Sequence, residues 1–129
     1  MPINFQFDQK EDLVRSEARG LLSGTEIIDH LRDVSEERDI QGHFSEIVDM
    51  SFVEDLELKY SDSVHLAALV ELWQIKGHSL SVFWADNQRA KEITEFMLPL
   101  LRKIGINVQI CSTEKEAIEF LGFLQQYAS

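Results

Sequence analysis

With 129 residues, 44% of them hydrophobic and 27% charged, the chain is the size of one compact domain with a real core, and two domains would be cramped. The formal charge of −11 is concentrated early: residues 1–60 hold 15 acids against 6 bases, residues 61–129 hold 8 against 6. Such a field repels phosphate backbones and anionic surfaces, no basic stripe offsets it, and nucleic acid is excluded as an expected ligand.

Ile3, Phe5 and Phe7 alternate with Asn4 and Gln6, the period of a half-buried strand. After a polar turn over 8–12, Val14, Ser16 and Ala18 alternate with Arg15, Glu17 and Arg19, which predicts a second strand and an antiparallel hairpin. Ser23-Gly24-Thr25-Glu26 has the form of a capping box, opening a helix with Ile27, Ile28, Leu31 and Val34 on one face and an end near Arg38. Gly42 marks a turn, and Phe44 to Met50 reads as a strand apolar enough for a central place in a sheet.

A helix is predicted from Ser61 to about Ile75, with Ser61 as its N-cap and Val64 turned inward. Val64, Ala68, Leu72 and Ile75 fall on one side and Leu66, Leu69, Val70 and Trp73 around another, so the polar face is small and burial within the fold is expected. Lys76-Gly77 closes it. Leu80, Val82 and Trp84 form the next strand, which delivers Asp86 as the expected N-cap of a long helix. That helix places Ala90, Ile93, Met97, Leu100, Leu101 and Ile104 inward, and Pro99 predicts a kink near Glu95 or a split into two helices. Ile106, Val108 and Ile110 make a last strand, and Thr113-Glu114-Lys115-Glu116 is a second capping box before Ala117, Ile118, Leu121 and Leu124.

The expected architecture is therefore α/β: one three-layer-like domain over residues 1–129, an N-terminal β-hairpin followed by alternating β-α units, and a mostly parallel five-stranded sheet flanked by about four helices. The order of elements, the strand end Val48-Asp49-Met50-Ser51, the strand-to-helix turn Val82-Phe83-Trp84-Ala85-Asp86 and the strand Val108-Gln109-Ile110 before Glu116 to Leu121 carry a resemblance over nearly the whole chain. The chain resembles STAS-like and SEC14-like small bacterial domains, the group that includes anti-sigma-factor antagonists. In that group the N-terminus of the helix after the central strand is the surface read by partners and kinases. The resemblance implies a non-enzymatic regulatory domain that binds a protein through its second helix and the preceding loop. On this chain the matching partner or switch surface is Asp49, Ser51, Ser61, Asp62, Ser63 and His65. The phosphorylated branch begins this helix with an Asp-Ser-Ser-Gly-like sequence. Asp62-Ser63 matches its first half, whereas Val64 and His65 stand at the next two positions, so constitutive rather than phosphorylation-controlled behaviour is expected.

Catalytic and metal chemistry find little support. His30, His43, His65 and His78 show no ligand spacing, and scattered histidines are ordinarily surface or packing residues. Ser63, His65 and Asp49 can be drawn as a triad, but there is no G-x-S-x-G elbow. Glu36-Glu37 and Glu54-Asp55 sit in polar stretches with no apolar pocket to raise a pKa. No catalytic residue, metal ligand or cofactor is expected. Asn87 and Arg89, opening a helix at the C-terminal end of a strand, are a candidate anion site. Trp73, Phe83, Trp84 and Phe96 are candidates to line the apolar or lipid pocket that a SEC14-like carrier would use, the alternative to a protein-binding role. An enzyme assembled from distant residues is a third reading. The lone Cys111, the absence of a long apolar run and a start without signal-peptide features point to a cytoplasmic protein with no integral membrane association. The sparse polar face of the second helix and the need to cover a sheet edge predict a homodimer.

Overall fold

The computed structural model describes residues 3–128, with side chains described through Phe123, so Met1, Pro2 and the expected inward place of Leu124 lie outside it. The elements run β1 Ile3–Asp8, β2 Leu13–Ser23, α1 Gly24–Glu36, β3 Phe44–Glu57, α2 Asp62–Lys76, β4 His78–Trp84, α3 Gln88–Lys103, β5 Val108–Cys111 and α4 Glu114–Ala128. The five strands lie in sequence order; β1 is antiparallel to β2 and every later pair is parallel. Three crossovers that step the same way along a sheet, each right-handed, put their helices on one face. Accordingly α1, α2 and α3 pack one core with Val48, Met50 and Phe83, whereas α4 covers Ile47, Leu80 and Val82 on the other.

The capping signal at the start of α1 survives intact. Ser23 Oγ accepts from Glu26 N and the Glu26 carboxylate accepts from Ser23 N, a complete capping box. At α4, Thr113 Oγ1 accepts from Glu116 N, but the Glu116 carboxylate reaches Ser112 N, one residue upstream of the expected partner.

Four expectations are corrected. First, β3 does not stop at Met50. Residues 51–57 continue beside 19–23 of β2, past Asp49, the last residue of β3 that pairs with β4. This two-stranded arm has solvent at its far end, so Glu54, Asp55 and Glu57 erase the apolar alternation that would have marked it. Second, the N-cap of α3 is Asn87, whose Oδ1 accepts from Ala90 N at 2.9 Å; Asp86 instead uses its backbone N–H on Ser51 Oγ at 3.1 Å. Third, α3 is one unbroken helix across Pro99, which lies exposed while Met97, Leu98 and Leu101 are buried on the side that packs. Packing on both sides of the proline offsets the missing donor. The inner face takes Thr94 and Leu98 as well, and Leu100 is turned out.

The fourth correction concerns α2. Ser61 has helical backbone angles and makes no side-chain cap bond. The first turn is closed instead by Asp62 Oδ2 accepting from Lys59 N at 2.9 Å and by Ser63 Oγ donating to Tyr60 O at 2.6 Å. Leu66, Val70 and Trp73 form the buried stripe, and Val64 is 70% exposed rather than inward. The helix is apolar nearly all round, so its sequence pattern does not say which stripe faces the core.

Candidate functional site

The helix α2 is held firmly along one side. Trp73 is fully buried and its Nε1 donates to Leu31 O of α1 at 2.7 Å. At the C-terminal end Lys76 Nζ donates to Glu37 O at 3.1 Å and Gln74 Nε2 to Gly105 O at 2.8 Å. Gly77 then ends the helix in the left-handed conformation. With that side fixed, Val64, Leu72 and Ile75 project from the opposite side at 70%, 49% and 77% exposure. Their spacing of eight and three residues places them along one stripe, with exposed Ala68 between the first two. Scattered exposed apolar residues are ordinary on a protein surface; an aligned row on one helix is not.

Beneath α2 the core contains a charge. Glu46 projects from β3 toward the three-helix side, in register with Val48 and Met50, and is 2% exposed. Its Oε2 accepts from His30 Nε2 at 2.6 Å and from Ser16 Oγ at 2.8 Å, and its Oε1 accepts from Ser81 Oγ at 2.8 Å. Burial works to raise the Glu46 pKa, but the His30 charge and these three donors outweigh it and hold the carboxyl below its ordinary value. His78 Nε2 extends the chain, 2.9 Å from Ser81 Oγ. Burial pushes the His78 pKa down, against opposing pulls from Glu46 and a backbone contact at Leu80. His30 Nδ1 is buried with no hydrogen-bond partner among the described residues.

Two of the four histidines, scattered in sequence, thus pack into one hydrogen-bonded group, His30 directly on the Glu46 carboxylate and His78 through Ser81. His43 is bound to Ser79 Oγ at 3.0 Å through Nε2, and His65 is exposed. The group was missed because His30, Glu46 and His78 are far apart in sequence. Its one legible signal was an acid at a core-facing position of a central apolar strand. A cavity of about 40 Å³ adjoins it, lined by apolar side chains such as Leu22, Ile27, Met50 and Met97 together with His30 and Glu46. That space admits a water-sized guest. Among the described residues no cluster of His, Cys, Asp or Glu is arranged to hold a metal ion.

The six residues of the expected partner surface do not share one face. Asp49 lies on the α4 side of the sheet, in a polar groove with Arg15, Glu17 and Trp84, and its Oδ1 accepts from Ser51 N at 2.9 Å. Ser51 is in a strand and ties β3 to the start of α3. Ser61, Asp62, Ser63 and His65 stay together around the first turn of α2. Asp62 also presses on Gly24, so closely that a side chain at Gly24 would collide with its carboxylate. Asn87 spends its amide on Ser51 O and on the α3 cap, and Arg89 Nε donates to Glu54 O at 2.8 Å, so both members of the candidate anion site act as ties to the β2–β3 arm. The four aromatic residues do not converge on a pocket: Trp73 and Phe83 are in the three-helix core, Trp84 is on the α4 side, and Phe96 is 68% exposed. Cys111 is a half-buried thiol, its pKa raised by burial and by the nearby Glu116.

A hairpin, three same-side crossovers and a closing helix on the far face define a STAS-like, SpoIIAA-like fold. The solved structure of an uncharacterised DUF3478-family protein with a SpoIIAA-like fold from Shewanella loihica PV-4 superposes with a TM-score of 0.60, covering 92% of this chain and 93% of that one at 11% identity. At that identity the likeness is one of fold alone. Comparison with protein-family models and with curated proteins gives no match. Among the described residues no helix is long and apolar enough to cross a membrane.

Proposed function

We propose that this chain is a non-enzymatic, cytoplasmic regulatory domain that binds another protein through the outer face of α2 and the turn before it. The observation that carries this reading is the aligned exposure of Val64, Leu72 and Ile75 on a helix whose other side is locked to α1 and to the sheet. A rigid helix presenting an apolar row is the form taken by helix-recognition surfaces in general. A second copy of the chain is the simplest partner, since an isologous pairing would cover both rows at once. Control by phosphorylation is not part of the proposal, because Ser63 Oγ already donates to Tyr60 O and Val64 and His65 follow it.

The alternative of a small-molecule or lipid carrier is less well supported. A drug-sized ligand occupies a pocket of about 300–1,000 Å³ lined mostly by apolar side chains; the apolar cavity beside Glu46 measures about 40 Å³, and the groove of about 390 Å³ along Arg15, Glu17, Asp49 and Trp84 is open and polar. Native mass spectrometry of protein purified from its own host separates the two. A retained protein or a second copy, lost on Ile75→Ser with the melting temperature kept, is the expected result; a stable small-molecule adduct on an otherwise monomeric chain contradicts it.

A further inference from the structure

Residues opposite one another on neighbouring strands share a face of the sheet. The register therefore places Asn4, Glu17, Asp49 and Trp84 in one row across β1 to β4, with Gln6, Arg15, Ile47 and Val82 in the next. On this face α4 packs on β3, β4 and β5 and covers Ile47 and Val82. The hairpin of β1 and β2 extends the sheet beyond that helix, and the groove of about 390 Å³ lies at the step between them.

The two carboxylates of the first row are held in place. Arg19, whose guanidinium stacks 4.5 Å from the centre of the Phe52 ring, donates to Glu17 Oε1, and Ser51 N donates to Asp49 Oδ1 at 2.9 Å. Each bond uses one oxygen, which leaves Glu17 Oε2 and Asp49 Oδ2 without a partner among the described residues. Arg15 likewise makes no ion pair or hydrogen bond among them, nor does the Trp84 indole N–H. Arg89, by contrast, is spent on Glu54 O.

Charge selects the guest. Glu17, Asp49 and Glu114 line the groove against the one guanidinium of Arg15, on a chain of net charge −11, so a simple anion is repelled and a positive group is favoured. Arg15 stands two residues from Glu17 on the same face of β2, about 6.6 Å along the strand, and Asp49 lies about 4.8 Å from Glu17 on the next strand. A guest that satisfies all three carries a positive and a negative group a short link apart. We propose that this groove binds a free α-amino acid with an apolar or aromatic side chain: the ammonium between Glu17 and Asp49, the carboxylate on Arg15 and the side chain against the Trp84 indole. The fork of Arg15 matches a carboxylate with two parallel bonds, and the ammonium has donors for both unpartnered oxygens. A neutral sugar would leave Arg15 unpaired, and a simple amine would bring a second cation beside it. The site goes beyond the partner reading and is independent of it, because α2 packs on the opposite face of the sheet and either site can fail with the other intact.

NMR titration of the full chain tests this at the indole N–H signals, with Trp73, fully buried and bonded to Leu31 O, as the internal control. Leucine, methionine, phenylalanine and tryptophan are each added to about 20 mM. At least one is expected to shift the Trp84 signal to saturation while Trp73 stays unmoved. For the tightest of them, the matching amine without its carboxylate and the matching acid without its ammonium are each expected to bind about tenfold more weakly or worse. Arg15→Gln is expected to weaken the amino acid while leaving the amine bound no more weakly, and Asp49→Asn to weaken both. No saturable shift at Trp84 with any of the four overturns the proposal. So does an amine, an acid or glucose that binds as tightly as the amino acid, or a folded Arg15→Gln chain that keeps its affinity for the amino acid. If a variant does not fold, the comparison of amino acid, amine and acid on the wild-type chain decides alone.

Discussion

Replacing Gly77 with alanine tests how closely the end of α2 approaches the turn before β3. Gly77 has φ of +120°, and a Cβ there would stand 2.5 Å from Gly42 O and 2.7 Å from Gly42 C. Both are backbone atoms, fixed by the bond from Phe44 N to Gly77 O at 3.0 Å, so neither can swing aside. A left-handed alanine costs about 1–2 kcal/mol, and overpacking a tight site adds about 1–3 kcal/mol. After a return of roughly 0.4–1 kcal/mol from the stiffer unfolded chain, the net loss is about 2–4 kcal/mol. For a domain of this size that lowers Tm by on the order of 10 °C. Gly42→Ala is the matched control, because Gly42 has φ of +106° and nothing within 4 Å of its would-be Cβ. After the same return from the unfolded chain it should lose only about 0.5–1 kcal/mol. Urea denaturation followed by tryptophan emission, with thermal unfolding by circular dichroism, measures both. Equal losses in the two variants would refute the close approach.

Glu46→Ala should cost about 3–5 kcal/mol in urea denaturation, since it strands three buried donors, and an effect under about 1 kcal/mol would show that the cluster is not formed. Asn87→Ala should lose about 1 kcal/mol and Ser61→Ala less than about 0.5 kcal/mol, because Asn87 caps its helix and Ser61 does not; the reverse order in thermal melts would contradict both assignments. Stability should also fall with acid. His78 and Glu46 both have folded pKa values below their ordinary 6.5 and 4.5, so the unfolded chain binds more protons. Their contributions are present above those values and are lost as pH drops, His78 first and Glu46 after it. Denaturation midpoints that stay level from neutrality to about pH 4 would count against both.

How much of this was legible depended on how local each signal was. The hairpin, the Ser23 capping box and the alternation of β4 are written within a few consecutive residues, and the fold followed from their order. The extension of β3 to Glu57 was not legible, because its carboxylates face solvent on an arm with no helix over it. The inner stripe of α2 was ambiguous because Val64, Leu72 and Ile75 are as apolar as Leu66, Val70 and Trp73. Only the positions of α1 and the sheet decide between them. The Glu46 cluster needed the register of three strands and a helix, which pairs Glu46 with Ser81 across β3 and β4 and brings His30 over both. Glu46 sits two residues before Val48 in a strand read as central, so a buried acid was the one part of that cluster the sequence contained.

The most direct test of the α2 surface is site-specific photo-crosslinking in the native host, with a photoreactive side chain at Ile75 and a control at exposed Lys115 on α4. Discrete protein adducts from position 75, to a second copy of the chain or to a defined partner and absent from position 115, are the predicted result. Position 75 giving only lipid or small-molecule adducts, or the same protein pattern as position 115, would contradict α2 as the binding face.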